Sequence, residues 1–248
     1  MYVIAVGDIH GQSVALRGLL AQIVPQLRAS DTLVFLGDYI DRGFDSRGCI
    51  EEILRLRSRS RVNVVTLMGN HEQWMLRSLH DPTKHSWLIA MDALPTIASY
   101  SEEVAFLMAK ALEEHGARLF TLHLPLPYCA FFDAMPREHL EFFQQLEYFH
   151  TELGIVCAHG GVDLNGDPDS ADMNCFLWGP NGFPEEYSGA DAVIYGHHNN
   201  AVLSDDGSIQ PCIGANRTFG IDTIAHGVLT AIRLPEGDVF QSPGEARY

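Results

Sequence analysis

Five short apolar runs, each ending in a glycine-containing turn that carries polar side chains, constrain the fold of this 248-residue chain most strongly. Runs of this length and β-branched content are typical of strands buried on both faces of a sheet. In open α/β sheets, ligands bind just beyond the carboxyl ends of such strands. The five segments are Tyr2–Gly11, Thr32–Gly43, Val62–Glu72, Gly154–Val162 and Ala190–Asn200.

Helical periodicity separates the first three runs. Ser13–Ala29 carries leucine and isoleucine at helical spacing, with Ser13 as the predicted N-cap. Asp45–Arg59 repeats this pattern before the third run. The opening of the chain is therefore predicted to be β-α-β-α-β, an α/β arrangement with a parallel sheet and crossover helices.

Residues from about 73 to 151 differ, because leucine, methionine, phenylalanine and tryptophan recur there at helical intervals without a run that ends in candidate ligands. Glu102–Glu114 and Pro136–Phe149 are the strongest helix predictions. We interpret 73–151 as a helical insertion or cap within a single domain, 1–241, followed by a tail, 242–248. Four later segments are strand-like and indicate a second sheet: Ala201–Leu203, Phe219–Thr223, Val228–Leu234 and Val239–Gln241.

Composition argues against several classes of protein. A net charge of −16, with Lys84 and Lys110 as the two lysines, argues against DNA or RNA as a partner. No apolar run reaches the ~18 residues that span a membrane, and the N-terminal residues lack signal-peptide features. The five cysteines show no CxxC spacing and are expected to be reduced thiols. These features predict a cytoplasmic protein without nucleic-acid or membrane partners, and they leave the oligomeric state open.

Carboxylate, imidazole and amide side chains follow the five runs and are predicted to meet at one sheet edge. The candidate metal ligands are Asp8, His10, Asp38, Asn70, His159 and His197. Oxygen and nitrogen donors without thiolates favour Mn²⁺, Fe or Zn²⁺ over Ca²⁺ or a structural zinc site. Tight-turn chemistry explains one such turn by itself, but it is a poor explanation for five together.

The motifs GDIHG, GDYIDRG, GNHE, AHGG and a late GH, between Val3 and about Leu234, resemble the calcineurin-like metallophosphoesterase superfamily. Within it, the bacterial PPP-type serine/threonine protein phosphatase and diadenosine tetraphosphatase branches are the most similar. The resemblance implies a metallophosphoesterase four-layer α/β/β/α sandwich with two divalent metal ions, Mn²⁺ first and Fe or Zn²⁺ as alternatives. It implies that one metal is held by Asp8, His10 and Asp38. It implies a second metal held by Asp38, Asn70, His159 and His197, with Asp38 bridging.

The resemblance also implies hydrolysis of a phosphomonoester by metal-activated water. His71 resembles the general acid of the family, Asp41 the residue that orients it, and Arg42 a phosphate-binding side chain. Glu72 is expected to hold its loop together by hydrogen bonds. A non-catalytic scaffold is a remote alternative, because every predicted ligand and the Asp41–His71 pair are present.

Departures from the family pattern leave the substrate open. Protein phosphatases of this type commonly have arginines where this chain has Met68 and Pro180, whereas Asn199 in the late GHxN motif matches that branch. The predicted substrate is a phosphorylated protein, as for a serine/threonine-type phosphatase. The alternative is a small phosphate ester, such as a diadenosine polyphosphate or a nucleotide. Arg217 or a residue of the insertion could supplement Arg42.

Other aromatic and imidazole side chains are given less specific roles. Trp74, Trp87 and Trp178 are predicted to be packing residues, with base stacking as the less favoured interpretation. His226, in the segment GIDTIAHG, is predicted to be structural or adjacent to the substrate.

Overall fold

Two β-sheets packed face to face form the centre of the protein, seen in a computed structural model that describes residues 1–169 and 171–244. The strands are β1 (Val3–Val6), β2 (Thr32–Phe35), β3 (Asn63–Thr66), β4 (Phe149–Glu152), β5 (Ile155–Ala158), β6 (Ala192–Tyr195), β7 (Ala201–Leu203), β8 (Ile209–Ile213), β9 (Thr218–Gly220), β10 (Val228–Leu234) and β11 (Asp238–Pro243). The α-helices are α1 (Ser13–Ile23), α2 (Ser46–Arg59), α3 (Asn70–His80), α4 (Ser86–Ala90), α5 (Leu94–Tyr100), α6 (Glu102–His115), α7 (Tyr128–Ala134), α8 (Arg137–Gln144) and α9 (Met173–Trp178). Short 3₁₀ segments lie at Val24–Gln26, Gly116–Phe120 and Ile224–His226.

The first sheet has the strand order β11-β10-β1-β2-β3. Its strands β1, β2 and β3 are parallel, which confirms the predicted β-α-β-α-β opening. The prediction that Val228–Leu234 belongs to the second sheet was wrong, because β10 pairs antiparallel with β1 and β11 pairs with β10. The hydrophobic pattern of β10 makes it a strand, but it does not specify which sheet edge the strand joins.

The second sheet has the order β4-β5-β6-β9-β8-β7, with β5, β6 and β9 parallel to one another. Alternate residues of the central strands face opposite ways: Val3 and Ala5 pack between the sheets, whereas Ile4 and Val6 pack beneath the helices. Both faces of β1 are therefore buried, which explains an apolar run without polar alternation. The α/β architecture with two sheets confirms the predicted metallophosphoesterase fold.

The helical segment between β3 and β4 covers one side of the molecule. The predicted helix over Glu102–Glu114 is confirmed as α6, but the one over Pro136–Phe149 ends at Gln144 in α8. Beyond α8 the chain is extended, because Glu147 pairs with the main chain beside β3 and Phe149 begins β4. Among the described residues, no helix is long and apolar enough to cross a membrane.

Two local details differ from the sequence predictions. Ser13 is the first residue of α1 rather than its N-cap, and its hydroxyl donates to Asp45. Asp45 in turn caps α2 by accepting the N–H of Gly48. At the C-terminus, β11 extends through Pro243 into the predicted tail, of which residues 245–248 lie outside the described ranges.

Candidate metal centre

The five polar turns converge at the carboxyl ends of β1, β2, β3, β5 and β6, as the parallel arrangement requires. Several of their residues have positive φ although they are not glycine, a conformation that costs of order 1–3 kcal/mol each. These residues are His10 (44°), Asp38 (48°), Asp41 (71°), Arg42 (64°) and His197 (64°). The backbone is thus strained where the candidate ligands and the predicted acid–base groups lie.

The carboxylate of Glu72 holds the turn after β2 against the start of α3. It accepts the backbone N–H groups of Asp38 and Tyr39 at 2.9 Å, and those of Gly69 at 3.1 Å and Ile40 at 3.3 Å. Gly69 is required beside this network, because a Cβ atom there would overlap the Asp38 carboxylate. The geometry agrees with the predicted loop-stabilising role of Glu72.

Three side chains from different strands converge on one point. The amide Oδ1 of Asn70 lies 2.8 Å from Nε2 of His159 and 3.0 Å from Nδ1 of His197. One carboxylate oxygen of Asp38 lies 3.4 Å from the same His159 nitrogen. Asp38, His159 and His197 offer ligand atoms within 4.8 Å of one another, as a single bound cation requires.

A second group of ligand atoms shares the Asp38 carboxylate. His10 donates from Nδ1 to the carbonyl of Ile40 at 2.8 Å, so its Nε2 is the acceptor nitrogen, 3.5 Å from Asp38 Oδ2. His10, Asp38 and His71 offer ligand atoms within 4.8 Å of one another. Asp8 lies alongside and accepts the backbone N–H of His197 at 3.0 Å.

Buried acidic groups make this region suitable for cations. Burial, together with the charges of Asp222 and Asp38, raises the pKa of Asp8 well above its usual range. Burial and the charge of Asp38 raise the pKa of Asp222 to about 7, and its Oδ1 has no hydrogen-bond partner among the described residues. Asp222 was not among the predicted site residues, although the family-like segment GIDTIAHG contains it. Divalent cations would neutralise these carboxylates, so the donor set fits a metal centre.

The imidazoles fall into two electrostatic classes. Burial lowers the pKa of His10 and of His159, and burial with the neighbouring His159 lowers that of His197 to about 3. These rings are neutral at pH 7, as metal ligands must be. Burial also lowers the pKa of His71, but the charges of Asp38 and Asp41 outweigh it, so the net pKa is raised. His71 is the ring placed to carry a proton.

His71 forms a buried pair with Asp41, whose Oδ2 lies 2.7 Å from Nδ1 of the ring. The same oxygen accepts the indole N–H of Trp87 at 2.8 Å, and Oδ1 accepts the hydroxyl of Thr96 at 2.7 Å. Trp87 and Thr96 belong to the helical segment between β3 and β4, and no sequence pattern indicated either contact. The prediction that Trp87 only packs was therefore incomplete.

The arginines are placed very differently. Arg42 lies in the site, with Nη2 3.5 Å from Nε2 of His71 and its backbone N–H on the carbonyl of Asp92. Arg217 follows β8 and donates to the carbonyl of Ala190, before β6 begins. It is therefore at the opposite end of β6 from His197 and cannot supplement Arg42.

At the rim of the site, Asn199 Nδ2 lies 2.9 Å from Nε2 of His226. This contact places His226 beside the late GHxN motif without bringing it into the ligand group.

The profile of the calcineurin-like phosphoesterase family matches residues 1–200, over most of the chain. The chain belongs to this family.

Individual relatives share the fold and differ in what they are described to do. A protein proposed to be a diadenosine tetraphosphatase superposes with a TM-score of 0.62 and 20% identity, covering 98% of this chain and 93% of its own. A mutant of a cold-active protein tyrosine phosphatase has a TM-score of 0.52 and 16% identity, covering 97% and 77%. At such identities these likenesses show the fold alone.

Among curated proteins, a zinc-dependent endopolyphosphatase of Saccharomyces cerevisiae is 28% identical over 114 residues. The match covers 45% of this chain and 33% of the yeast protein, so the chain spans about a third of the length of this relative. The names of these three proteins refer to three different phosphate substrates, so they do not identify the substrate of this chain.

Proposed function

We propose that this protein is a two-metal phosphoesterase that hydrolyses phosphomonoesters. The observation that supports it most is the Asp38 carboxylate, which belongs to two separate groups of ligand atoms. A carboxylate can bind one cation with each of its oxygens, so Asp38 is suited to bridge two metals. The family to which the chain belongs supports the same chemistry.

In this proposal, one metal would be held by Asp8, His10 and Asp38, and the other by Asp38 together with three further ligands. These are Asn70, His159 and His197. Mn²⁺ is the first candidate, with Fe or Zn²⁺ as alternatives, since the donors are oxygen and nitrogen without thiolate. The metals, when bound, supply a nucleophilic water at neutral pH and polarise the phosphoryl oxygens.

The protein's own groups act on the leaving side of the reaction. As the water oxygen bonds to phosphorus and the ester P–O bond breaks, His71 donates its proton from Nε2 to the departing oxygen. Asp41 holds the Nδ1 proton and stabilises the charged ring. Arg42, 3.5 Å from His71, presents donors to a phosphoryl oxygen.

Two substrate classes fit this chemistry. The sequence favours a phosphoprotein, as for a serine/threonine-type protein phosphatase, and this stays a prediction. The second candidate, a nucleotide or dinucleotide, is favoured by a cavity beside the centre whose walls carry Trp74, Arg77, Lys84 and Trp87.

Hydrolysis of a phosphoserine peptide and of diadenosine tetraphosphate by the Mn²⁺-loaded protein, side by side with an EDTA control, tests the proposal. We expect phosphate release that EDTA abolishes. Asp38→Asn should abolish turnover and lower the amount of bound metal per chain, measured by mass spectrometry. Asp133→Asn, at an exposed position of α7, should change neither quantity. Full activity of Asp38→Asn would overturn the assignment, and a wild type that binds no metal and cleaves no ester would restore the scaffold hypothesis.

A further inference from the structure

A cavity of about 480 Å³ lies between α3 and the beginning of α4, and its wall includes Trp87, which donates to Asp41 of the site. Trp74 and Arg77 of α3, Lys84 of the connecting loop and Trp87 of α4 form much of its wall. Cavities of a few hundred Å³, lined by aromatic side chains and a few polar groups, are typical of small-molecule sites. The size of this one suits a nucleoside rather than a single phosphate group.

The cavity follows His71 along α3. Trp74 is three residues beyond His71 and Arg77 is three beyond Trp74, so each is a neighbour of the one before it on the helix surface. Arg77 lies about 9 Å along the helix axis from His71 and is rotated by about 120° from it. Because His71 is placed to protonate the departing oxygen, a group attached to that oxygen can extend past Trp74 toward Arg77.

Aromatic side chains connect the cavity to the centre on two sides. The indole N–H of Trp87 donates to Asp41, the partner of His71, at 2.8 Å. The rings of Trp74 and Trp178 lie 5.5 Å apart, and the Trp178 ring meets the His197 imidazole edge-on at 5.2 Å. Aromatic side chains therefore link Asp41 and the candidate ligand His197 to the wall of the cavity.

The charge of the cavity is opposite to that of the whole chain. Arg77 and Lys84 are exposed, and neither forms an ion pair within residues 1–169 and 171–244. The acidic side chain in the same wall is Asp81, and His80 lies beside it. The net charge of the chain is −16, so two positively charged side chains beside tryptophan rings are unusual here. They indicate an anionic ligand with a planar ring.

We propose that this cavity is a substrate subsite that binds the nucleotide part of a leaving group. The base stacks against Trp74, and Arg77 and Lys84 bind the phosphates between the base and the phosphoanhydride P–O bond that breaks, so that the nucleotide leaves with the proton from His71 on its departing oxygen. The inference rests on the proposed phosphoesterase activity and names the substrate class of that centre. It also gives a reason for the missing arginines at Met68 and Pro180, because the binding charge is supplied from the insertion.

The double variant Arg77→Gln/Lys84→Gln tests the subsite with the Mn²⁺-loaded protein. For diadenosine tetraphosphate we expect kcat/KM to fall about tenfold, mainly through a higher KM, because charge-assisted contacts to phosphate are lost. For glycerol 2-phosphate, which has no base or second phosphate, kcat/KM should change by less than about twofold. The matched control Arg59→Gln/Lys110→Gln removes the same charge from exposed positions outside the cavity and should leave both substrates unaffected.

Binding of ADP to the EDTA-treated protein provides a readout that does not depend on hydrolysis. The three tryptophans of the chain all lie in the cavity wall or against Trp74, so their emission reports on this region. We expect ADP to quench the emission, with an apparent Kd about tenfold higher in Arg77→Gln/Lys84→Gln than in the control variant.

Each result decides between the two proposals. If the double variant lowers kcat/KM equally for both phosphate esters, or if ADP binds all variants alike, the subsite is wrong while the phosphoesterase activity stands. If KM for the phosphoserine peptide rises in the double variant while KM for the dinucleotide is unaffected, the cavity binds a peptide and the nucleotide subsite is wrong. Absence of any hydrolysis by the wild type contradicts the proposed function, and the ADP titration then still tests the cavity.

Discussion

At the scale of single residues, the four histidines nearest Asp38 are separated by their surroundings. Burial keeps His10, His159 and His197 neutral, whereas two carboxylates raise the net pKa of His71. Three rings are thereby prepared to bind a cation and one to carry a proton. The division follows from which ring faces Asp41, since burial lowers the pKa of all four.

Replacing His71 by asparagine should remove the proton donor and leave both metals bound. Loss of a well-placed general acid lowers kcat by ~10²–10⁴. Steady-state kinetics combined with metal analysis check this, with His123→Asn on an exposed loop as the control. A variant with normal kcat would show that another group protonates the leaving oxygen.

Replacing Asp41 by asparagine should change the pH dependence of the reaction. Because His71 must be protonated to act, kcat falls as the pH rises through its pKa. Asp41 raises that pKa, so its neutral analogue should move the fall to lower pH. A pH profile of kcat measures the shift, and an unchanged alkaline limb would mean that Asp41 does not tune the acid.

At the scale of elements, the helical insertion contributes to the site rather than merely covering it. Helices α4 and α5 supply Trp87 and Thr96, which together with His71 occupy the carboxylate oxygens of Asp41. The Thr96 hydroxyl also accepts the backbone N–H of Asp41, a residue held at a φ of 71°. The insertion thus fixes both the side chain and the strained backbone of Asp41.

Thr96→Val keeps the shape of the side chain and removes this hydroxyl. The buried N–H and Oδ1 of Asp41 then lose a partner, which should lower the free energy of unfolding by ~1–3 kcal/mol. We also expect kcat to fall while the metal content is unchanged, because the orientation of Asp41 relaxes. Urea denaturation and kinetics test this against Thr121→Val, an exposed threonine in the same insertion. If both variants behave alike, α5 has no positioning role.

At the scale of the whole molecule, the two sheets bring several carboxylates into one buried volume, where they oppose folding unless cations are present. The folded-state pKa values of Asp8 and Asp222 are raised, the latter from its ordinary value of 3.8 to about 7. A raised folded pKa means that the folded state binds the proton more tightly. The stability that protonated Asp222 contributes to the metal-free protein is therefore lost as the pH rises from about 4 toward 7, whereas the lowered pKa values of the three candidate ligand histidines act in the opposite direction.

In EDTA, the effect of Asp222 is isolated by comparing the wild type with Asp222→Asn, which lacks the titrating carboxyl group. The melting temperature of the variant relative to the wild type should rise over this pH window, because only the wild type loses the contribution of the protonated carboxyl group. Saturating Mn²⁺ should raise the melting temperature of the wild type, since ligand binding to the folded state adds about 2.7 kcal/mol at a hundredfold excess over Kd. Thermal melts of both proteins at several pH values, with and without metal, measure this, and a difference between them that stays constant across the window would contradict it.

The extent to which the sequence predicted the structure differs between parts of the chain. The first three strands, α1, α2 and α6 were predictable, because periodicity and turn residues act over a few neighbouring positions. The end of α8 at Gln144 and the pairing of β10 with β1 were not, because each depends on a strand that is distant in sequence. The candidate ligands could also be predicted from the sequence, because each follows an apolar run and parallel strands bring the ends of such runs together.

The sequence by itself determined the α/β architecture, the family and the set of residues that meet at the sheet edge, since these depend on local patterns repeated along the chain. The tertiary structure alone decided that Trp87 and Thr96, 46 and 55 residues from Asp41, complete the acid pair. It also decided that Asp222 joins the carboxylates, that Arg217 lies at the far end of β6, and that a cavity with basic and aromatic side chains in its wall lies between α3 and α4. Contacts of this kind arise from packing between elements that are distant in sequence, where local propensity carries no information.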